Sequence, residues 1–285
     1  MGAVTRSTGA SRRTAPTARL TRMTDAPVLL DVTDGVATVT LHRPEAMNSL
    51  DVATKVLLLE TLRQVADLDS VRCVVLTGSG RAFCTGQDLK EHIGLLRSST
   101  GPRLSTVEEH YNPIVTALVE MPKPTVAAVN GVAAGAGASL ALACDLRLVA
   151  DTAGFNFAFA NVALSCDTGM SWTLQRIVGR ARALELLYFP RTVGAEESAA
   201  LGLATTVVAP DDLVAETAAL AARLAAGPTV ALASIREAVT FAGDHPFSEA
   251  LATEARLMSH TGATADHEAA VAAFVAKQKP EFEGR

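Results

Sequence analysis

Cysteine is scarce: Cys73, Cys84, Cys144 and Cys166 are the only four in 285 residues. None forms a CxxC pair and all sit in apolar contexts. That argues against a disulfide framework and implies reduced thiols of a cytoplasmic protein. The six histidines include no HxH or HExxH pair, so no metal site is expected. Neither GxGxxG nor GxxxxGK[ST] occurs, which argues against a nucleotide-dependent dehydrogenase. Positive charge is not in excess: 25 Lys and Arg face 30 Asp and Glu, a net charge of −5. Nucleic acid is therefore not the expected partner. Residues 1–24 lack any acid and carry Arg6, Arg12, Arg13, Arg19 and Arg22. Their composition resembles a transit peptide without a clear amphipathic apolar face, and the reading is a disordered basic tail. Residues 125–144 are uncharged and about as long as a membrane span. They are mostly Ala and Gly with Asn130 inside, so their hydropathy is weak and no membrane span is expected.

What is present is core material, at 49% apolar residues, enough for one or two domains. The stretch 124–145, PTVAAVNGVAAGAGASLALACD, organises the rest. Residues 125–129 read as a buried strand, 130–137 as a glycine turn, and 138–143 as the first turns of a buried helix. A helix that starts at such a turn leaves free N–H groups at its positive end, where negative charge is stabilised.

Along the chain, 28–32 and 36–41 flank Asp34-Gly35 and predict a hairpin. Residues 51–67 have helical spacing with Val52, Val56, Leu59, Leu62 and Val65 or Ala66 on one side. Residues 71–77 predict a strand, and 81–90 a loop opening into a helix. The polar segment 92–106, with Ser98-Ser99-Thr100-Gly101-Pro102, reads as mobile and near a ligand. A helix over 107–121 ends at Pro122 and Pro124. A strand over 146–150 precedes 153–160, where Phe155, Phe157 and Phe159 alternate as in a strand. Residues 167–178 predict a helix with Asp167 or Thr168 as its cap, and 181–187 another. Residues 194–208 read as helix, glycine turn and strand. Helices follow over 213–226, 229–241, 247–261 and 266–277. The domain expectation is a tail at 1–24, an α/β core at 25–210 and a helical region at 211–285.

Four segments in order, HRPEAMNSL, AFCTGQDL, KPTVAAVNGVAAGAGASLALACD and residues 153–187, resemble the crotonase (enoyl-CoA hydratase/isomerase) superfamily over residues 28–282. The resemblance implies a ClpP-like spiral of ββα units with a C-terminal helical region that makes homotrimers or hexamers. It also implies an acyl-CoA thioester substrate, with coenzyme A part of that substrate and no other cofactor. The backbone N–H groups of Gln87 and Ala136 would hold an enolate oxygen. Arg43, Ala46 and Met47 would hold coenzyme A, joined by Lys277 from within the chain or across a subunit boundary. For Arg43 and Lys277 a solvated surface charge is the alternative.

The two glutamates of family hydratases fall at Ser139 and Phe159, neither of which titrates near neutral pH. The pattern through 135–187 is closer to the epoxyphenylacetyl-CoA isomerase and enoyl-CoA isomerase branch, whose single aspartate matches Asp167. Asp167 is the only carboxylate among residues 152–167. Phe159, Met170 and Trp172 would line the acyl pocket beside it and help raise its pKa. A helix cap is the alternative role for Asp167. Cys166 stands where that branch has proline, Met170 fills space it leaves open, and Ala163 replaces a glycine. Asp88 reads as a structural cap; Glu91, His92, Glu109 and His110 border the mobile segment and read as surface, with a place in the acyl-pocket lining as the alternative. The expected activity is acyl-CoA isomerisation, with enoyl-CoA hydration or silent acyl-CoA binding as alternatives.

Overall fold

A computed structural model describes residues 25–97 and 104–285. The tail 1–24 and the segment from Ser98 to Arg103, six of the fifteen residues expected to be mobile, lie outside the described residues.

The chain opens with the antiparallel hairpin β1 (Val28–Thr33) and β2 (Val36–Leu41). Asp34 and Gly35 both take positive φ, 49° and 79°, the backbone that a two-residue turn between twisted strands demands. Helix α1 (Val52–Asp67) is capped by Asp51, whose carboxylate accepts from Thr54 N at 2.8 Å. Then come β3 (Cys73–Gly78), β4 (Ala82–Cys84), α2 (Leu89–Arg97) and α3 (Asn112–Val119). A π-helical turn, Val107–Tyr111, leads into α3. The central stretch forms β5 (Thr125–Val129), β6 (Val132–Ala134) and α4 (Ala136–Ala143). Next are β7 (Leu146–Ala150), β8 (Gly154–Asn156), α5 (Met170–Val178) and α6 (Arg180–Tyr188). The core closes with β9 (Thr192–Gly194), α7 (Ala195–Ala200) and β10 (Thr206–Val208). Four helices complete the chain: α8 (Leu213–Ala225), α9 (Thr229–Ala242), α10 (Phe247–Gly262) and α11 (Ala265–Ala276).

Two sheets form. The larger has order β1-β2-β3-β5-β7-β10 and the smaller β4-β6-β8-β9. Successive strands alternate between them: β3, β5 and β7 enter the large sheet, and β4, β6 and β8 the small one. Pairing from β2 onward in the large sheet, and between β4, β6 and β8, is parallel. This is the expected ββα spiral. Parallel strands covered on both faces are apolar throughout, and all five residues of β5 are buried. The run 125–144, long enough for a membrane span, is thus two strands and a helix inside the core. Among the described residues no single helix is long and apolar enough to cross a membrane. Burial pushes the thiols of Cys73, Cys84 and Cys144 up to about 12. They are inert packing groups.

Helix α8 packs on β3, β5 and β7 of the large sheet, whereas α9 packs chiefly on α10. Arg236 ties α9 to the core. It donates to the carbonyls of Leu118, Val119 and Met121 and pairs with Asp145 at 2.6 Å. Lys123 closes the far end of α1, donating to Val65 O at 2.7 Å and Leu68 O at 2.6 Å.

Several expected boundaries shift. Helix α2 runs on through Arg97, into the segment read as mobile. The aromatic strand stops at Asn156, and Phe157 and Phe159 are buried from a turn instead. A short strand, β6, occupies the middle of the glycine stretch. The buried face of α1 is Thr54, Lys55, Leu58, Thr61, Leu62 and Val65, while Val52 and Val56 are exposed.

Candidate active site

Helix α4 is buried along its whole length and starts at Gly135, whose φ of 51° and ψ of −125° exclude most side chains. No side chain caps it, so the N–H groups of its first turn keep their positive potential. Ala136 is its first residue. A second glycine turn, Thr85-Gly86-Gln87, abuts this one. A methyl group built on Gly86 would lie 3.0 Å from Ala134 O and 3.1 Å from Ala136 N. One built on Gly137 would lie 2.1 Å from Cys84 O. Both glycines are required because backbone packs directly on backbone.

The Gln87 amide is oriented by a parallel bridge to Leu50. Leu50 N donates to Gly86 O at 2.7 Å and Asp88 N to Leu50 O at 3.2 Å. The residues on either side of Gln87 make both bonds, so its own N–H faces away from Leu50. Among the described residues neither Gln87 N–H nor Ala136 N–H donates to a protein acceptor. Two N–H groups without a protein acceptor thus lie on adjoining turns, one of them at the positive end of a buried helix, an arrangement able to donate to an anionic oxygen.

Asp167 lies on a loop of unusual backbone beside α4. Thr168 and Gly169 both take positive φ, 53° and 74°, just before α5 begins at Met170. The expected helix start is therefore corrected by three residues, and Asp167 does not cap α5: Gly169 holds that position without a side-chain bond. The Asp167 carboxylate accepts the Thr168 hydroxyl at 2.8 Å. Its main-chain oxygen accepts Met170 N at 3.0 Å and the Ser139 hydroxyl at 3.4 Å. Ser139 lies one turn along α4 from Ala136, so this bond ties the Asp167 loop to the first turns of α4. Burial raises the Asp167 pKa above the usual carboxylate range, and the Thr168 hydrogen bond offsets only part of that.

Met170 is fully buried and Phe159 nearly so. Trp172 is elsewhere. Two residues after Met170 on a helix, it points to the opposite side. It stacks under the Arg176 guanidinium at 3.9 Å and lines a cavity of about 1090 Å³ with Phe241 and His245 of the C-terminal region.

A cleft of about 420 Å³ runs beside Gln87, lined by Arg43, Ala46, Ser49, Thr85, Leu89 and Lys90 among others. Between the lining residues Ala46 and Ser49 the chain turns through a left-handed corner in which Met47 and Asn48 have φ of 53° and 55°. Asn48 fixes that corner by accepting Arg43 N and donating to the carbonyls of Ser79 and Ala82. Met47 O accepts both Thr85 N and its hydroxyl at 3.3 Å. The Arg43 guanidinium is already engaged, with Asp88 at 3.0 Å and Asp51 at 3.1 Å. Asp88 caps α2, accepting from Lys90 N and Glu91 N. Burial alone would raise its pKa, but the Glu91 amide, Arg43 and Ser49 outweigh that and lower it. Lys277 ends α11 in a left-handed conformation, exposed, and no described contact brings it to this cleft within one chain.

The sequence reading passed over two groups next to the site. Lys55 is fully buried and Tyr111 nearly so, and both bond the Gln87 carboxamide oxygen, at 3.2 and 2.6 Å. Tyr111 sits where a helix was expected, and the signal for Lys55 was a cation among apolar helix positions.

The enoyl-CoA hydratase/isomerase family model matches residues 31–285. The 1,2-epoxyphenylacetyl-CoA isomerase of Escherichia coli is 41% identical over 260 residues, 90% of this chain and 98% of that protein. A protein of Rhodobacter capsulatus named "Probable enoyl-CoA hydratase" is 42% identical over 256 residues, 90% and 97% of the two chains. The crystal structure of an enoyl-CoA hydratase from Bacillus anthracis superposes with a TM-score of 0.83 at 30% identity, covering 91% of this chain and all of that one. Spiral, paired glycine turns and likeness over nearly the whole chain agree, and the protein is an enzyme belonging to the enoyl-CoA hydratase/isomerase family.

Proposed function

We propose that the protein is an acyl-CoA isomerase that shifts a double bond from the 3- to the 2-position of an enoyl-CoA. The reading rests on one observation: a single half-buried carboxylate, Asp167, is tied through Ser139 to the helix whose first N–H is unpaired. Asp167 removes a proton from C2. The electrons of that C–H bond move into the thioester, and the enolate oxygen is held by the N–H groups of Gln87 and Ala136. Asp167 then returns the proton at C4, and the double bond comes to rest between C2 and C3. The reaction moves one proton and no net electrons, so it needs neither a metal nor a redox cofactor. A positioned acid–base contributes about 10²–10⁴-fold, and each oxyanion donor about 3 kcal/mol. Rearrangement of an epoxyaryl-acetyl-CoA uses the same anion site and is a variant of this reading. The E. coli relative named for that reaction supports it.

The coenzyme A portion lies along the cleft at Arg43, Ala46 and Met47. Arg43 acts there by shaping the loop, since its charge is spent on Asp51 and Asp88, and Lys90, which lines the cleft, supplies a second positive charge there. Lys277 reaches a cleft only from a neighbouring subunit of a homotrimer or a hexamer. The protein acts in the cytoplasm.

Hydration is the second reading, favoured by the relatives named hydratase. Ser139 and Phe159, where hydratase glutamates fall, oppose it. Incubation with 3-hexenoyl-CoA and 2-hexenoyl-CoA separates the readings. Double-bond migration without water addition supports the isomerase. Hydration of 2-hexenoyl-CoA supports the alternative. Binding without either would leave an acyl-CoA-binding protein and sink both enzymatic readings.

A further inference from the structure

Lys55 is the least expected residue in the core. Its side chain is fully buried on the inner face of α1, where an isolated ammonium is strongly disfavoured. Its three donors are all used: Thr106 Oγ1 at 2.7 Å, Glu91 Oε1 at 3.0 Å and Gln87 Oε1 at 3.2 Å. It also lies 5.3 Å from the centre of the Tyr111 ring. Tyr111 Oη donates to the same Gln87 oxygen at 2.6 Å. On its other side the Gln87 carboxamide Nε2 donates to Glu91 Oε1 at 2.9 Å and Asp88 O at 3.4 Å. Every hydrogen-bonding position of that carboxamide is therefore filled. The Gln87 side chain is held from one direction by Lys55, Tyr111 and Glu91, and its backbone from another by Leu50. Glu91 is itself anchored, its second oxygen accepting Val52 N at 2.7 Å.

We propose that Lys55, with Tyr111, is a positioning residue for the oxyanion site: by pinning the Gln87 carboxamide it fixes the direction of the Gln87 backbone N–H. The inference rests on the reading of that N–H as an enolate donor. A buried lysine is needed because a clamp of this kind must satisfy three acceptors from inside an apolar helix face. Leucine at 55 would pack more cheaply but would leave the Gln87 and Glu91 oxygens short of donors. Donors of this kind act only when held within about 0.5 Å of the productive geometry.

The probe is acetoacetyl-CoA, whose enolate is recognised by its own ultraviolet band and whose binding needs the anion site but no turnover. The parent protein binds it with an enolate band. Lys55→Met weakens the enolate band and lowers kcat on 3-hexenoyl-CoA on the order of ten- to a hundredfold, with KM little changed, as for a misplaced catalytic group. Tyr111→Phe, which keeps the ring and removes the other donor, shows the same split and decides the matter if Lys55→Met fails to fold. In a Gln87→Met background, which keeps the backbone N–H, changing Lys55 has no further effect on kcat. A parental band and kcat in folded Lys55→Met or Tyr111→Phe overturn the inference and leave the anion site standing. No enolate band with the parent protein overturns the anion-site reading and the inference with it.

Discussion

A carboxylate that is half-buried with one hydroxyl donor loses hydration that its neighbours do not restore. Asp167 is in that position, and its pKa rises as a result. The sign follows directly. At neutral pH the folded chain has to hold the ionised form, which the unfolded chain solvates freely, so the charge subtracts from stability. As pH falls through the raised pKa the folded state takes up a proton and the loss disappears. Asp167→Asn is therefore expected to melt at a higher temperature than the parent at pH 7, with the gap closing toward pH 4. A variant less stable than the parent at pH 7 would contradict the burial argument. The same variant is expected to lose isomerase turnover by about 10²–10⁴-fold while still binding acyl-CoA. The parental kcat/KM should fall on the acid side with a midpoint above about 4, the ordinary aspartate value. Asp167 was legible through the family resemblance, whose single aspartate falls at this position, and the absence of any other acid from 152–167 agreed with it. The Ser139 hydroxyl that holds its loop was not, because the partner is a main-chain oxygen 28 residues away.

At the scale of elements, glycine carries the argument where backbone meets backbone. Gly137 sits in the first turn of α4 against Cys84 O, at a distance no side chain tolerates. Gly137→Ala is expected to destabilise the fold by about 1–3 kcal/mol or more, read as a lower urea midpoint. Gly86→Ala, with φ of 81° and contacts near 3 Å to the Ala134–Ala136 backbone, is expected to separate the two donors and depress kcat more than stability. An unchanged kcat in that variant would argue that the two turns do not act together. The glycine turns and the DG hairpin were readable because positive φ has a strong residue preference. The buried face of α1 was not. Apolar periodicity pointed to Val52 and Val56, but Lys55, Thr54 and Thr61 face inward. Each of those is satisfied, Thr61 by Leu57 O, Thr54 by Asp51 and Lys55 by the Gln87 cluster. Buried polar residues with partners defeat a rule that counts only hydrophobicity.

For the whole molecule the C-terminal helices are the open question that solution measurements answer. Ile235 and Val239, one turn apart on α9, are 61% and 71% exposed. Phe247, Met258 and Phe274 of α10 and α11 are exposed further still. Apolar area of this extent marks an interaction surface. The protein is expected to sediment as a trimer or hexamer, and Ile235→Glu with Val239→Glu to shift it toward monomer without loss of helix content. A parent that sediments as a monomer would remove the subunit-boundary role from Lys277.

Through its likeness to a family the sequence implied the ββα spiral and the role of Asp167. By itself it determined the first hairpin, the two glycine turns and the absence of any acid but Asp167 from residues 152–167. Those features are local: strand hydrophobicity, positive-φ preference and the residue types left in a short segment. Only the tertiary structure decided which groups meet. It placed Gly86 against Ala136, set Trp172 under the Arg176 guanidinium, engaged Arg43 with two aspartates and gathered Lys55, Glu91 and Tyr111 around Gln87. Such contacts join residues tens of positions apart, and their energy depends on burial and hydrogen-bond completion, neither of which is a property of any short segment of chain.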